Sequence, residues 1–365
     1  MVRKLTEDSL QSFYKNKRIL ITGHTGFKGS WLTYILLKLG ANIVGYSDTI
    51  PTHPSLFECL QLKKEINHNF GDIRDIENLK KVVSGAKPEL CFHLAAQPLV
   101  RISYQEPLLT YTTNINGSIN MLETIRLSDS IRTLLMITSD KCYENKEWDY
   151  GYRESDCMGG HDPYSSSKAC CELIVNAYRT SYLEQQGIGC ATVRAGNVIG
   201  GGDWSLDRLV VDVVNSLSQN QSVKIRYPKA TRPWQHVLDP LFGYLILAFK
   251  LHSEPKLFQG GWNFGPTGTQ NLTVEEIVQK MISIWGSGSY EISSEATSHE
   301  AGKLALDIHK AISLLPWQPC WGTEKAIEQT IIWYKTFYEE SSKKLQELTE
   351  DQLNSYLIDF GLCSV

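Results

Sequence analysis

No stretch of the 365-residue chain is apolar for long enough to span a bilayer. The first residues, Met1-Val-Arg-Lys-Leu-Thr-Glu-Asp, hold no apolar run of the kind an export signal needs, so a cytoplasmic protein is expected. The nine cysteines are odd in number and include no C-x-x-C pair, which argues against both a disulfide framework and a zinc site. Cys142, Cys170 and Cys171 are expected to pack, because no thiolate-activating neighbour accompanies them. Positive charge is not in excess: 36 Lys and Arg face 40 Asp and Glu, a net charge of −4. That removes any general attraction to nucleic acid or to an anionic membrane. Repeats and low-complexity tracts are absent. His24 and His236 have no cluster of ligating neighbours, so no metal is expected.

What is present is a soluble, globular composition, 42% hydrophobic and 21% charged, in a chain longer than one core usually holds. Its organising stretch is Arg18-Ile-Leu-Ile-Thr-Gly-His-Thr-Gly-Phe-Lys-Gly29, which reads as strand, tight turn and helix. The spacing lets Gly23 turn the chain, Gly26 admit a pyrophosphate and Gly29 pack helix on strand, with the helix N-terminus facing the phosphates. Strands are expected at 42–47, 66–70, 88–96, 131–138 and 188–195, with long helices over 107–127 and 163–185. The fifth strand has almost no polar interruption, as a parallel strand buried on both faces requires. This alternation predicts an α/β fold: a doubly wound parallel Rossmann sheet with a smaller mixed α/β domain over its carboxyl edge. Residues 1–200 are read as the dinucleotide-binding domain, to which about 234–264 return, and 201–365 as the smaller, substrate-binding one. The second strand ends in Ser47-Asp48 where a ribose-binding acid is usual, which leaves the ribose contact open. Asp72 either caps the following helix or meets an adenine ring.

The chemistry gathers at the end of the fifth strand, Thr138-Ser139-Asp140-Lys141. Downstream, Tyr164 and Lys168 stand four residues apart and so share one helix face. A Lys beside a phenol is expected to lower its pKa from about 10 toward neutrality. Ser139 and Tyr164 then take a proton from an alcohol as its hydride leaves. For a diphosphate the candidates are arginines, whose fork matches phosphate oxygens. Arg194, Arg208 and Arg232 are considered, with amide donors Asn197 and Asn263, and Arg208, Arg232 and Asn197 are favoured. Trp204 and Trp234 are expected to pack rather than to stack on a base.

The set Thr22-Gly23-x-x-Gly26-x-x-Gly29, Ser139 and Tyr164-x-x-x-Lys168 resembles the extended short-chain dehydrogenase/reductase superfamily. Longer strings are more specific: Gly-His-Thr-Gly-Phe-Lys-Gly-Ser-Trp31, Ser139-Asp-Lys-Cys-Tyr143, Arg194-Ala-Gly-Asn-Val-Ile-Gly-Gly-Gly-Asp-Trp204 and Arg232-Pro-Trp-Gln-His-Val-Leu-Asp239. They resemble the NAD-dependent nucleotide-sugar dehydratase/epimerase family, and in it the 4,6-dehydratases that act on CDP-glucose. The resemblance implies NAD as cofactor, a nucleotide-diphosphate sugar as substrate, a role in deoxysugar and O-antigen biosynthesis, and a homodimer through two long helices per subunit or a dimer of dimers. It implies cofactor contacts at Gly23, Thr25, Gly26, Phe27, Asp72, Ile73, Leu94, Ala95, Ala96, Asn114, Tyr164 and Lys168. The implied catalytic set is Ser139, Asp140, Lys141, Tyr164 and Lys168. Related dehydratases carry Asp-Glu where this chain has Asp140-Lys141. As acid Asp140 has to hold a proton and as base Lys141 has to give one up, while their closeness favours the charged pair. A 4-epimerase shares everything except the need for that pair, and a non-catalytic scaffold would need neither Tyr164 nor Lys168.

Overall fold

The computed structural model describes residues 7–231, 233–267, 272–292 and 303–362. Six strands follow one another as expected: Arg18–Thr22 (β1), Asn42–Ser47 (β2), Asn67–Phe70 (β3), Leu90–His93 (β4), Thr133–Ile137 (β5) and Gly189–Ala195 (β6). A seventh, Gly260–Phe264, joins β6 at the edge, and the sheet runs Gly260–Phe264, β6, β5, β4, β1, β2, β3. All six pairings are parallel. The order reverses between β1 and β4, and the crevice outside their carboxyl ends is where such sheets bind ligands.

Every residue of β5 and β6 is buried, because helices cover both faces. On one side lie Phe27–Lys38, Leu238–Ser253 and the terminal pair Thr323–Glu339 and Ser342–Phe360, sharing a core through Trp31, Leu245, Trp333 and Tyr356. On the other lie Ile76–Ala86, Gly117–Arg126 and Pro163–Tyr178, joined through Leu79, Met121 and Val175. The expected fourth strand ends three residues early, at His93. There the chain leaves the ladder to pass over Gly23, where a Cβ would lie 2.7 Å from the Ala95 nitrogen. The two long helices each contain a wide turn, at Thr112–Asn116 and Arg179–Leu183.

Beyond Ala195 the chain builds two small parallel ladders, Asn197–Ile199 with Trp234–His236 and Val223–Ile225 with Tyr290–Ile292. The glycine run following Ile199 is wedged against two helices on one face of the sheet: the Trp31 indole donates to the Gly201 carbonyl at 2.9 Å, and a Cβ on Gly201 would strike the Trp333 ring.

Candidate active site

The glycine turn is built for close approach. Gly23 has φ +73°, a left-handed conformation that side chains resist, and a Cβ on Gly29 would sit 2.1 Å from the Gly23 carbonyl oxygen. The helix Phe27–Lys38 starts at Gly26 with no side-chain cap, leaving its first N–H groups for an anion. Leu94 and Ala95 line the turn's other side, and Ala96 is half-buried beside them. Thr25 holds the turn by donating to the Thr49 carbonyl at 2.6 Å. Phe27 lies against Gly200, and Ile73 against Gly117.

Around the second strand the polar groups pair with one another. The Ser47 hydroxyl lies 2.9 Å from His24 Nδ1, and His24 Nε2 lies 2.6 Å from His68 Nδ1. Burial, and the charge of His68, push His24 down to about 3, so it stays neutral. Ser47 is thereby occupied, and exposed Asp48 is the acid left at the strand end. Asp72 does not cap the next helix; Asp75 does, accepting from the Asn78 N–H at 3.1 Å. Asp72 instead grips Arg74, whose hydrogen bonds hold its carboxyl below the usual range.

At the end of β5, Ser139 caps a short turn, Asp140–Cys142, accepting from the Lys141 N–H at 3.2 Å. Its hydroxyl donates to Asp140 Oδ1 at 2.9 Å. Asp140 is buried and Lys141 half-buried. The helix Pro163–Tyr178 starts from an Asp162 cap with proline at its first position, and this brings the Tyr164 phenol near enough to Ser139 for that hydroxyl to pull its pKa down. The expected lowering of that phenol is not what burial dictates. Desolvation pushes it up to about 12, against the downward pull of Ser139 and of Arg208. Lys168 donates to the Ile137 carbonyl at 3.4 Å, and burial lowers its own pKa. Asn114 ties the two walls together: its oxygen accepts from the Gln97 N–H at 2.8 Å and its amide donates to Ser167 at 2.8 Å. Its amide also donates to the Gln97 carbonyl at 3.2 Å.

The substrate candidates separate. Arg208 is exposed at the start of helix Leu209–Ser218, and its charge acts on both Tyr164 and Lys28. Asn197 is half-buried on the strand that follows β6. Asn263 is corrected: fully buried, it donates to the carbonyls of Tyr152 and Asp307 and accepts from the Tyr143 hydroxyl, leaving nothing for a substrate. Arg194 is likewise inside, in an ion pair with Glu172 at 2.7 Å. Arg232 lies outside the described residues. Trp204 packs on Trp333, Tyr334 and Phe337, and buried His236 sits beside Trp31 and Trp321.

Three features were not anticipated. Lys28, in the first turn of the helix Phe27–Lys38, is brought to about 8 by burial and the nearby charge of Arg208, with Asp140 pulling the other way. Arg101 pairs with Asp207 at 2.6 Å, joining helix Val100–Gln105 to the segment before Arg208. Glu172 continues the four-residue spacing of Tyr164 and Lys168, a signal the sequence did carry.

The sequence pattern of one family, GDP-mannose 4,6-dehydratase, matches residues 20–330. The chain belongs to that family. Within reach of this dehydratase-family chain is the CDP-glucose 4,6-dehydratase of Salmonella typhimurium (strain LT2), 49% identical over 90% of this chain and 93% of the relative. The CDP-paratose 2-epimerase of Salmonella typhi is 22% identical over 87% of this chain and 98% of its own length. Among solved structures, dTDP-glucose 4,6-dehydratase from Bacillus anthracis in complex with NAD superposes with TM-score 0.74 at 22% identity, covering 90% of this chain and 99% of the other. The UDP-glucose 4-epimerase of Thermotoga maritima with UDP-glucose gives 0.76 at 22%, covering 88% and 100%. These structures share the fold of the dehydratase-family chain. No helix among its described residues is long and apolar enough to cross a membrane.

Proposed function

We propose that the protein is an NAD-dependent CDP-D-glucose 4,6-dehydratase, a hydro-lyase forming CDP-4-dehydro-6-deoxy-D-glucose for deoxysugar biosynthesis, O-antigen included, in the cytoplasm. The observation that carries the reading is Asp140 and Lys141 on the turn capped by Ser139, with Ser139 near enough to the Tyr164 phenol to act on its pKa. Identity of 49% to a CDP-glucose 4,6-dehydratase supports it.

The uncapped helix start beside Gly23 and Gly26, and the small residues Ala95 and Ala96, fit a dinucleotide pyrophosphate. What NAD supplies there is a reversible hydride acceptor, to which the C4 hydride leaves and from which it returns to C6. Tyr164 takes the proton of the 4-hydroxyl, and Ser139 donates to the oxygen that becomes the ketone. Arg208, whose charge lowers the phenol's pKa, supplies positive charge that a phenolate needs in this dry setting, and we assign the same role to buried Lys168. The ketone acidifies the C5 proton. Of the pair next to Ser139, one group removes that proton and the other gives a proton to the departing 6-hydroxyl, so that water leaves. After hydride reaches C6, a proton returns to C5. We assign acid to Asp140 and base to Lys141, and diphosphate binding to Arg208, Arg232 and Asn197.

Residues up to about 200, with about 234–264 returning to them, hold the dinucleotide, and the rest beyond 200 hold the nucleotide sugar in this reading. A homodimer is supported by apolar side chains left exposed on the two long helices: Leu108 and Leu173 are 75% and 61% exposed, and Tyr182 lies open with them. A dimer of dimers is the next level of assembly. The deciding experiment is incubation with a panel of nucleotide-glucoses, scored by the alkaline ultraviolet absorbance of a 4-keto-6-deoxy product. Formation from CDP-glucose supports the reading; a 4-epimer without that absorbance replaces it with epimerase.

A further inference from the structure

Asp140 and Lys141 have few contacts of their own. Among the described residues the Asp140 carboxylate accepts one side-chain hydrogen bond, from Ser139. The backbone around this turn is anchored by the Thr138 N–H on the Val193 carbonyl and by the Cys142 carbonyl, which accepts from the Gly159 N–H, both at 2.9 Å. At each end of the turn a side chain, Thr138 on one side and Tyr143 on the other, is in addition bonded to one buried ion pair. The Thr138 hydroxyl donates to Glu172 Oε1. Arg194 reaches Glu172 with two N–H groups, at 2.9 and 2.7 Å, and donates through Nη1 to the Tyr143 hydroxyl. Its guanidinium also lies 4.9 Å from the Tyr143 ring centre.

Glu172 itself sits on the helix Pro163–Tyr178, two turns beyond Tyr164 and one beyond Lys168. The fourth bond to its carboxylate comes from Thr192 on β6 at 2.6 Å. On the far side the Tyr143 hydroxyl donates to Asn263 at 2.8 Å, and Asn263 grips the carbonyls of Tyr152 and Asp307. One continuous buried chain thus ties the helix carrying the base to both ends of the acid/base turn. Stability alone does not call for charges here, since well-packed apolar groups can replace a buried ion pair without loss. A directional network, by contrast, fixes a geometry.

We propose that the Glu172–Arg194 pair is a positioning device: acting through Thr138 and Tyr143, it sets Asp140 and Lys141 against the sugar for the loss of water, while the oxidation at C4 depends on Ser139 and Tyr164 directly. The inference rests on the dehydratase reading. Tyr143→Phe is the mildest test, because the ring keeps its stack on Tyr152, 5.2 Å between centres, and Arg194 Nη1 keeps the Glu154 carbonyl. Thr138→Val cuts the other end independently.

Each variant, with NAD and CDP-glucose in a single turnover, is followed for the reduced-nicotinamide band, for C5 deuterium exchange and for the 4-keto-6-deoxy product. Oxidation should proceed close to the wild-type rate, whereas exchange and product formation fall by about 10²-fold, the cost of roughly 1 Å of misplacement, so that the reduced band accumulates. KM should stay near the wild-type value. If both half-reactions fall in the same ratio, or neither falls, the pair is structural only and the inference fails. Wild-type protein that turns over no nucleotide-glucose overturns the dehydratase reading and this inference with it.

Discussion

Replacing Tyr164 by phenylalanine removes one buried oxygen and should have opposite signs in two assays. At pH 8 the variant loses the phenol's polar interaction with Ser139, worth about 1 kcal/mol net; Ser139 keeps Asp140 as a partner, so no donor is orphaned. At alkaline pH the balance changes. The phenol's pKa is about 12 in the folded chain against 10.0 for the free side chain. A raised acid is more easily ionised in the unfolded chain, so its contribution is fully present below pH 10 and is lost as pH rises toward 12. The loss is about 1.4 kcal/mol at pH 11 and tends to about 2.7 kcal/mol above pH 12. The phenylalanine variant escapes it. Urea unfolding of both proteins at pH 8 and pH 11 should show a variant that is less stable at the first and equal or more stable at the second. Other buried tyrosines titrate in both proteins, and the difference cancels them. Turnover should meanwhile fall by about 10² or more, the usual worth of a general base. A stability difference identical at the two pH values would refute the burial argument, and near-normal turnover would show that another group is the base.

Asp140→Asn should leave hydride transfer possible yet stall the loss of water, so the reduced-nicotinamide band accumulates in a single turnover; Lys141→Met should in addition slow exchange of the C5 proton with deuterium. Normal exchange and product release by both variants would return the pair to a structural turn. NAD should bind more tightly than NADP, because Asp48 at the end of β2 repels a 2′-phosphate, and a calorimetric titration with the reverse order would sink this. Leu173→Glu, placing a charge on the exposed apolar helix face, should convert a dimer to monomers in sedimentation with little change in the circular dichroism spectrum; an unchanged sedimentation coefficient would remove that face from the interface.

Much of this architecture is written in short-range patterns. The run from Arg18 to Gly29 specifies strand, turn and helix because each glycine meets a local steric demand, and the structure shows Gly23 at positive φ with Gly29 against its carbonyl. The uninterrupted apolar β5 announces a two-sided sheet for the same kind of reason. Four-residue spacing puts Tyr164 and Lys168 on one helix face, and would have added Glu172 had the pattern been followed one turn further.

Tertiary structure decided what depends on burial and on partners far along the chain. The Tyr164 shift runs opposite to what the neighbouring Lys168 predicts, because spacing reports a nearby charge but not the surrounding dielectric, and desolvation is the larger effect. Asn263 and Arg194 read as ligand-binding types, yet strand Gly260–Phe264 and β6 carry them inward, where Tyr143 and Glu172, 120 and 22 residues away, use up their hydrogen bonds. The Ser47 hydroxyl is likewise engaged by His24, which leaves exposed Asp48 as the acid at the end of β2. A sequence determines which residue types recur at helical or strand period; whether a given polar atom remains free for a ligand is settled only when distant segments close around it.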